Sequence, residues 1–519
     1  MWRHHVGFVS LVVTIASAVS APPLFGQAAP FRDWQTSSLP DATHAKPRQT
    51  CAELASLTGY ELTVITTTVV AASAETPEYC RVIGQIQPEV RFEVSLPAIW
   101  NGHLYMFGNG GYAGESLDAP ARVVFARRAL ARGFAVTQTN TGHDAAVEPL
   151  GSFAVNSQKF LDYAYRAVHV TAMTAKKILQ TYYGSGALHS YFDGCSTGGR
   201  QGLMSAQRFP DDFDGIVVGA PVLNFTATMI GYNAYQRAMH GAAVSSAHLM
   251  LAANAASAKC DAADGVVDGV IDDPRSCRFD VITDVPRCST EAGGDDCFTA
   301  AQARAIAAIH QPVTRGASEV MPAWPVGVTG WVPWFVAPPS GRPIQVNFGE
   351  TFFRYMAFGK SDPAYDWLAF NLDTDFDKLA FSRTVLDATN PDLSRFKARG
   401  GKILSYYGWA DPALNPMMGV KYYEAVTSTI GSSTPDFYRL FMVPGMAHCG
   451  GGIGVNSFDA FTPLVEWVEK GRAPQSIIGS RIVDGKTVRT RPLCSYPQVA
   501  KYKGSGSTDD ALNFVCAAP

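Results

Sequence analysis

Apolar and polar residues alternate along Glu61–Val70 and Val82–Leu96, and the alternation continues through His103–Phe107. Strand side chains point to opposite faces in turn, so a period of two predicts strands half-buried against a core. A glycine-rich turn, Gly108-Asn109-Gly110-Gly111-Tyr112-Ala113-Gly114, follows, and the apolar run Gly133–Gln138 predicts a buried strand. Over Phe160–Tyr183 the apolar spacing changes to three and four, which predicts a long amphipathic helix. Ser190–Asp193 reads as a strand, Gly199–Phe209 as a helix ended by Pro210, and Asp214–Gly219 as another apolar strand. This alternation of strands and helices predicts an α/β fold with a parallel sheet covered by helices.

From about Leu223 to Ser394 the pattern breaks down into Cys-, Gly- and Pro-rich sequence with short helices. Regular alternation returns at Lys402–Tyr407, Phe437–Val443 and the helix Phe461–Lys470. The expected organisation is a catalytic domain of residues 22–222 and 395–519, interrupted by a lid of residues 223–394. At 519 residues the chain is long enough for a large domain with such an insertion.

Composition narrows the setting. With 47% hydrophobic residues and a formal charge of −3, the chain is an ordinary globular protein without the basic footprint of a nucleic-acid binder. It begins Met1-Trp2-Arg3-His4-His5, runs apolar from Val6 to about Val19 and reaches the small pair Ser20-Ala21, the pattern of a signal peptide covering residues 1–21. Export to the periplasm or the medium is therefore expected. No later segment reads as membrane-spanning, and no obligate protein partner is evident. In an exported protein the ten cysteines should be mostly paired. Their positions suggest Cys51 with Cys80, Cys260 with Cys277, Cys288 with Cys297 and Cys494 with Cys516, which leaves Cys195 and Cys449.

The pentapeptide Gly194-Cys195-Ser196-Thr197-Gly198 fits Gly-x-Ser-x-Gly between a predicted strand and a predicted helix. In that setting a tight turn pushes the serine hydroxyl into the open, as in the α/β-hydrolase fold. The plainer alternative is that Ser196 only caps the next helix. A serine hydroxyl is a weak nucleophile until a base takes its proton. His448, in the loop after Phe437–Val443, is the expected base. His143 competes, but it precedes Ser196 and breaks the chain order Ser, Asp, His. Asp411, in Gly408-Trp409-Ala410-Asp411-Pro412 after the strand Lys402–Tyr407, is the expected acid that orients the imidazole. One oxyanion donor is expected from the backbone N–H of Thr197. The second is expected from the turn Gly108-Asn109-Gly110, with the particular N–H left open.

Away from these residues in sequence, Cys260–Val270 alternates acids and glycines, either as a calcium loop or as a solvated acidic turn. It is not an EF-hand, because the spacing and the terminal Glu are wrong.

Cys195-Ser196 and His448-Cys449 together resemble the tannase and feruloyl esterase family over nearly the whole mature chain. In that family a cysteine directly before the catalytic serine is disulfide-bonded to one directly after the catalytic histidine. The resemblance implies a Cys195–Cys449 bond, the same local pairing of the other cysteines, and Asp411 as the triad acid. It also implies a structural calcium held by the carboxylates of Asp261, Asp264 and Asp268 and the carbonyls of Val266 and Val270. The implied substrates are esters of an aromatic acid: a hydroxycinnamate, a gallate or a terephthalate monoester. For the last, the family relative uses a lid arginine to pair with the free carboxylate. Arg354, at the end of Val346–Arg354, stands offset from that position, so a neutral or phenolic acyl group is the better expectation. Two other functions share these residues: a peptidase or amidase with the same triad, and a binding protein on an inactive hydrolase fold. The resemblance favours esters, whereas a triad alone is neutral between ester and amide.

Overall fold

The structure is a computed structural model and describes residues 45–338 and 341–519. The expected signal peptide lies outside the described residues. Nine strands form one sheet: β1 (Leu62–Val70), β2 (Tyr79–Ile86), β3 (Val90–Pro97), β4 (His103–Phe107), β5 (Ala135–Thr139), β6 (His189–Cys195), β7 (Gly215–Gly219), β8 (Lys402–Gly408) and β9 (Tyr438–Val443). Their spatial order is β1-β2-β3-β5-β4-β6-β7-β8-β9. From β5 to β9 all neighbours run parallel. At the other edge β1, β2, β3 and β5 pair antiparallel. The sheet is therefore mixed rather than wholly parallel. The connection from β2 to β3 is too short for a crossover helix and can only make a hairpin.

That hairpin corrects one expectation. Val82–Leu96 reads as a single stretch because Val82, Ile86, Val90, Phe92, Val94 and Leu96 are all buried and keep one phase across the turn at 87–89. The helical run expected at Phe160–Tyr183 is continuous from Ser157 to Tyr183, with a π-helical turn at Asp162–Arg166, and stops at Gly184, whose φ is 74°. The central strands are buried on both faces, and successive residues enter different cores. Tyr191, Val217 and Tyr406 face one, while Phe192, Ile216 and Ile403 face the other.

Between β7 and β8 the chain leaves the sheet. This excursion holds helices of ordinary length, Phe225–Met239, Ser246–Cys260, Ala300–Ile309 and Ile344–Tyr355, rather than the short ones expected. Phe225–Met239 is buried nearly all round, from Phe225 through Asn233, so it lacks the polar stripe that makes a helix legible. Trp324, Phe335, Phe348 and Phe352 of the excursion belong to the same core as Tyr191 and Tyr406 of the sheet. All ten cysteines are paired: Cys51–Cys80, Cys195–Cys449, Cys260–Cys277, Cys288–Cys297 and Cys494–Cys516. Such pairing belongs to an oxidising compartment. Among the described residues, no helix is long and apolar enough to cross a membrane.

Candidate active site

Strand β6 ends at Cys195, and the helix Thr197–Arg208 starts two residues later. Ser196 alone makes the turn, with φ 62° and ψ −121°, a conformation that costs a non-glycine residue about 1–3 kcal/mol. Glycines allow the turn to close. A Cβ on Gly194 would stand 2.5 Å from the carbonyl carbon of Gly198, and one on Gly108 would stand 2.6 Å from the Cα of Gly198. The loop after β4 therefore docks backbone to backbone on the serine turn. From Tyr191 to Arg200 every residue except Ser196 is buried.

Two other loops meet at the same end of the sheet. A Cβ on Gly408, at the end of β8, would lie 2.3 Å from Met446 O, so only glycine lets the two loops touch. The Ala410 N–H donates to that same carbonyl at 3.0 Å. Held in this way, His448 Nδ1 lies 2.8 Å from Asp411 Oδ2. Asp411 is wholly buried, and its other oxygen accepts the N–H groups of Ala413 (2.8 Å) and Leu414 (3.0 Å). From the excursion, the Trp324 indole N–H donates to Asp411 O at 3.0 Å. Cys195 and Cys449 tie the serine turn to the histidine loop. Ser196, Thr197, Gly111 and His448 all line one pocket.

A family model described as "Tannase and feruloyl esterase" matches residues 74–517 of this chain. The chain belongs to the tannase and feruloyl esterase family. It is 34% identical to a mono(2-hydroxyethyl) terephthalate hydrolase of Piscinibacter sakaiensis, over 86% of this chain and 86% of that protein. It is 30% identical to feruloyl esterase B of Aspergillus niger, over 85% of this chain and 87% of that protein. The crystal structure of feruloyl esterase B from Aspergillus oryzae superposes with a TM-score of 0.78 at 27% identity, covering 90% of this chain and 99% of that one. This member of the family is thus a carboxylic ester hydrolase with an α/β-hydrolase-type fold.

In this esterase the turn after β4 departs from expectation. The N–H groups of Gly108, Asn109 and Gly110 are all engaged, with Asp193 O (2.9 Å), Gln201 Oε1 (3.0 Å) and Glu115 Oε1 (3.2 Å). A buried turn consumes these amides to hold itself in place. The next amide, Gly111 N–H, has no acceptor among the described residues. Gly111 O accepts from the hydroxyls of Tyr163 and Thr197, which anchors this segment to the π-helical turn and to the serine helix. In the sequence Gly111 is simply the next glycine of the same turn. Only the hydrogen-bond partners of its neighbours distinguish it.

His143 lies outside the pocket. Its ring stacks on Phe153 at 3.9 Å, its Nε2 lies 3.1 Å from Tyr112 O, and burial pushes its pKa down to about 4. Arg354 does not line the pocket either, being held by Glu350 (3.0 Å) and by Tyr365 O (3.3 Å). Roomier depressions near Tyr60 and near Arg383 include neither Ser196 nor His448.

The acidic loop is far from Asp411 and His448 in sequence but packs beside the loops that carry them. A Cβ on Gly445, three residues before His448, would meet Val270 at 3.1 Å. The Arg275 guanidinium lies 5.3 Å from the ring of Trp409, two residues before Asp411. Within the loop, Asp261 and Asp264 accept backbone N–H groups, and Asp268 is paired with Arg489 (2.9 Å) and Arg491 (2.5 Å). Among the described residues no three acidic, His or Cys side chains converge as a metal site does. The donor chemistry still fits a hard cation, since every implied ligand atom is an oxygen. Burial, with smaller contributions from Asp264 and Asp268, pushes Asp272 up to about 7 against the opposing pull of Arg491 and Arg489.

Proposed function

We propose that the protein hydrolyses esters of aromatic acids through an acyl-enzyme, with Ser196 as nucleophile, His448 as general base and Asp411 as the group that orients the imidazole. The carrying observation is the 2.8 Å contact of His448 Nδ1 with buried Asp411, in a pocket that His448 shares with Ser196. A carboxylate at Nδ1 leaves Nε2 unprotonated and able to accept the Ser196 proton. Ser196 Oγ attacks the ester carbonyl as its proton passes to Nε2. The oxyanion that forms is received by the N–H groups of Thr197 and Gly111. Collapse breaks the bond to the alcohol, which leaves with the proton from His448. Water then attacks the acyl-serine, again with His448 as base, and the acid departs.

The aromatic acyl group is supported by the named activities of the relatives and by a pocket lined by Tyr112, Phe225, Trp334 and Phe348. Residues 223–394 act as the lid that supplies three of those walls, Phe225, Trp334 and Phe348. Calcium, when bound, neutralises the acidic loop, held by the carboxylates of Asp261, Asp264 and Asp268 and the carbonyls of Val266 and Val270. No chemical step passes through it. The five disulfides and the N-terminal pattern support export with cleavage after Ala21.

The test is Ser196→Ala, assayed on p-nitrophenyl acetate and methyl cinnamate. The variant should keep its fold by circular dichroism and lose at least about 10³-fold in kcat. Retention of a tenth of the activity would assign the nucleophile elsewhere.

A further inference from the structure

Arg200 is wholly buried, one turn beyond Ser196 on the helix Thr197–Arg208, and its backbone N–H donates to Ser196 O at 3.0 Å. Its guanidinium donates only to carbonyls: Ala164 O at 2.8 Å, and Tyr163 O and Leu386 O at 3.3 Å. Among the described residues no carboxylate pairs with it. Taking a cation out of water without a counter-charge is costly. What the guanidinium supplies here is geometry, because its rigid fork fixes several acceptors at once.

Two of those acceptors, Tyr163 and Ala164, belong to the π-helical turn Asp162–Arg166, a kind of turn found frequently at functional sites. The same guanidinium lies over the Tyr163 ring, 5.0 Å from its centroid, and attracts the ring face. At the far end of that ring the hydroxyl donates to Gly111 O at 3.1 Å, and the Thr197 hydroxyl donates to the same oxygen. The contacts close a circuit. It runs from the serine helix through Arg200 to Tyr163, from Tyr163 to Gly111, and from Gly111 back to Thr197 on the serine helix.

Gly111 needs such a brace. It follows Gly110, has φ 47°, and a glycine chain has little stiffness of its own. An oxyanion donor acts because it is already aimed before charge develops, so the direction of its N–H has to be fixed from outside the loop. Tyr163 does not line the pocket, so it can aim Gly111 without touching substrate.

We propose that Tyr163 is a positioning residue of the oxyanion site. Held by Arg200 on the π-helical turn, its hydroxyl fixes Gly111 so that the Gly111 and Thr197 N–H groups point together at the oxyanion formed at Ser196. The proposal rests on the esterase reading above and deepens it.

The deciding variant is Tyr163→Phe, which removes one hydroxyl and keeps the ring that Arg200 covers. On methyl cinnamate and p-nitrophenyl acetate its kcat should fall about 10- to 100-fold, with KM within about threefold of wild type. Benzyl trifluoromethyl ketone separates aim from folding. Ser196 Oγ adds to its carbonyl carbon, the π electrons move to oxygen and the serine proton passes to His448, which leaves an oxyanion in the site. Affinity for this ketone should fall by the same factor as kcat. Arg200→Lys keeps the charge and loses the fork, and should show the same split with a lower melting temperature. If that variant does not fold, Tyr163→Phe decides alone. A Tyr163→Phe protein with kcat and ketone affinity within twofold of wild type, or with its loss in KM alone, overturns the proposal and leaves the esterase reading standing. If the wild-type protein hydrolyses neither ester, the esterase reading fails and the proposal with it.

Discussion

Cys195 and Cys449, 254 positions apart in the chain, are bonded with their Cα atoms 5.9 Å apart, and each adjoins a residue of the Ser–His pair. The bond joins the serine turn to the histidine loop across β7 and β8. Closing so long a loop stabilises a fold by about 2–4 kcal/mol in the chain-entropy account. The double variant Cys195→Ala/Cys449→Ala should show a kcat reduced at least tenfold at temperatures where its circular dichroism is still native, together with a lower melting temperature. An unchanged rate and an unchanged melting temperature would show that the bond positions nothing.

Asp411 offers a test of orientation rather than charge. One of its oxygens already accepts the N–H groups of Ala413 and Leu414. In Asp411→Asn the amide oxygen should keep those two bonds, which turns the NH₂ toward His448 Nδ1. The imidazole is then forced into the tautomer that cannot take the serine proton, with a loss of about 10⁴ in kcat and little change in KM. Wild-type kcat in a correctly folded variant contradicts this role.

His143 should make the protein acid-sensitive. Its pKa is lowered from 6.5 to about 4, chiefly by burial. As pH falls through about 6.5 the unfolded chain takes up this proton and the folded chain does not. Stability is full above that pH and declines toward pH 4, by up to about 3 kcal/mol from this group. Urea unfolding at pH 7 and pH 4.5 should give a smaller difference for His143→Gln than for the wild type. Equal differences would remove His143 as the cause.

Calcium removal should act on stability first. The acidic loop packs on Gly445 and, through Arg275, beside Trp409, so its loosening reaches the loops of His448 and Asp411. Chelation should lower the melting temperature by mass action, and added calcium should restore it. A chelated protein that melts unchanged, with no calcium by elemental analysis of the purified protein, removes the site.

Much of this enzyme was legible in the linear chain, because its informative features are local. The strand, turn and helix around Ser196 can be read within about twenty residues, since a tight turn requires Gly194 and Gly198 and since buried parallel strands are continuous apolar runs. Cys195 and Cys449 marked the serine and histidine loops through the resemblance to a family that places cysteines at those positions. The excursion was poorly legible for the opposite reason: Phe225–Met239 is buried on nearly every side, so periodicity, which reports an exposed face, is absent. The hairpin at 87–89 was hidden because its two strands keep one phase. Tertiary structure alone decided which backbone N–H near Ser196 is open. Gly108, Asn109, Gly110 and Gly111 are equivalent as turn sequence, and they differ only in whether an oxygen of Asp193, Gln201 or Glu115 already accepts the hydrogen bond of their N–H. Likewise, a tyrosine hydroxyl in a sequence is a potential donor to substrate, and only folding shows that Phe348 O and Ala413 O already accept the O–H groups of Tyr112 and Tyr232.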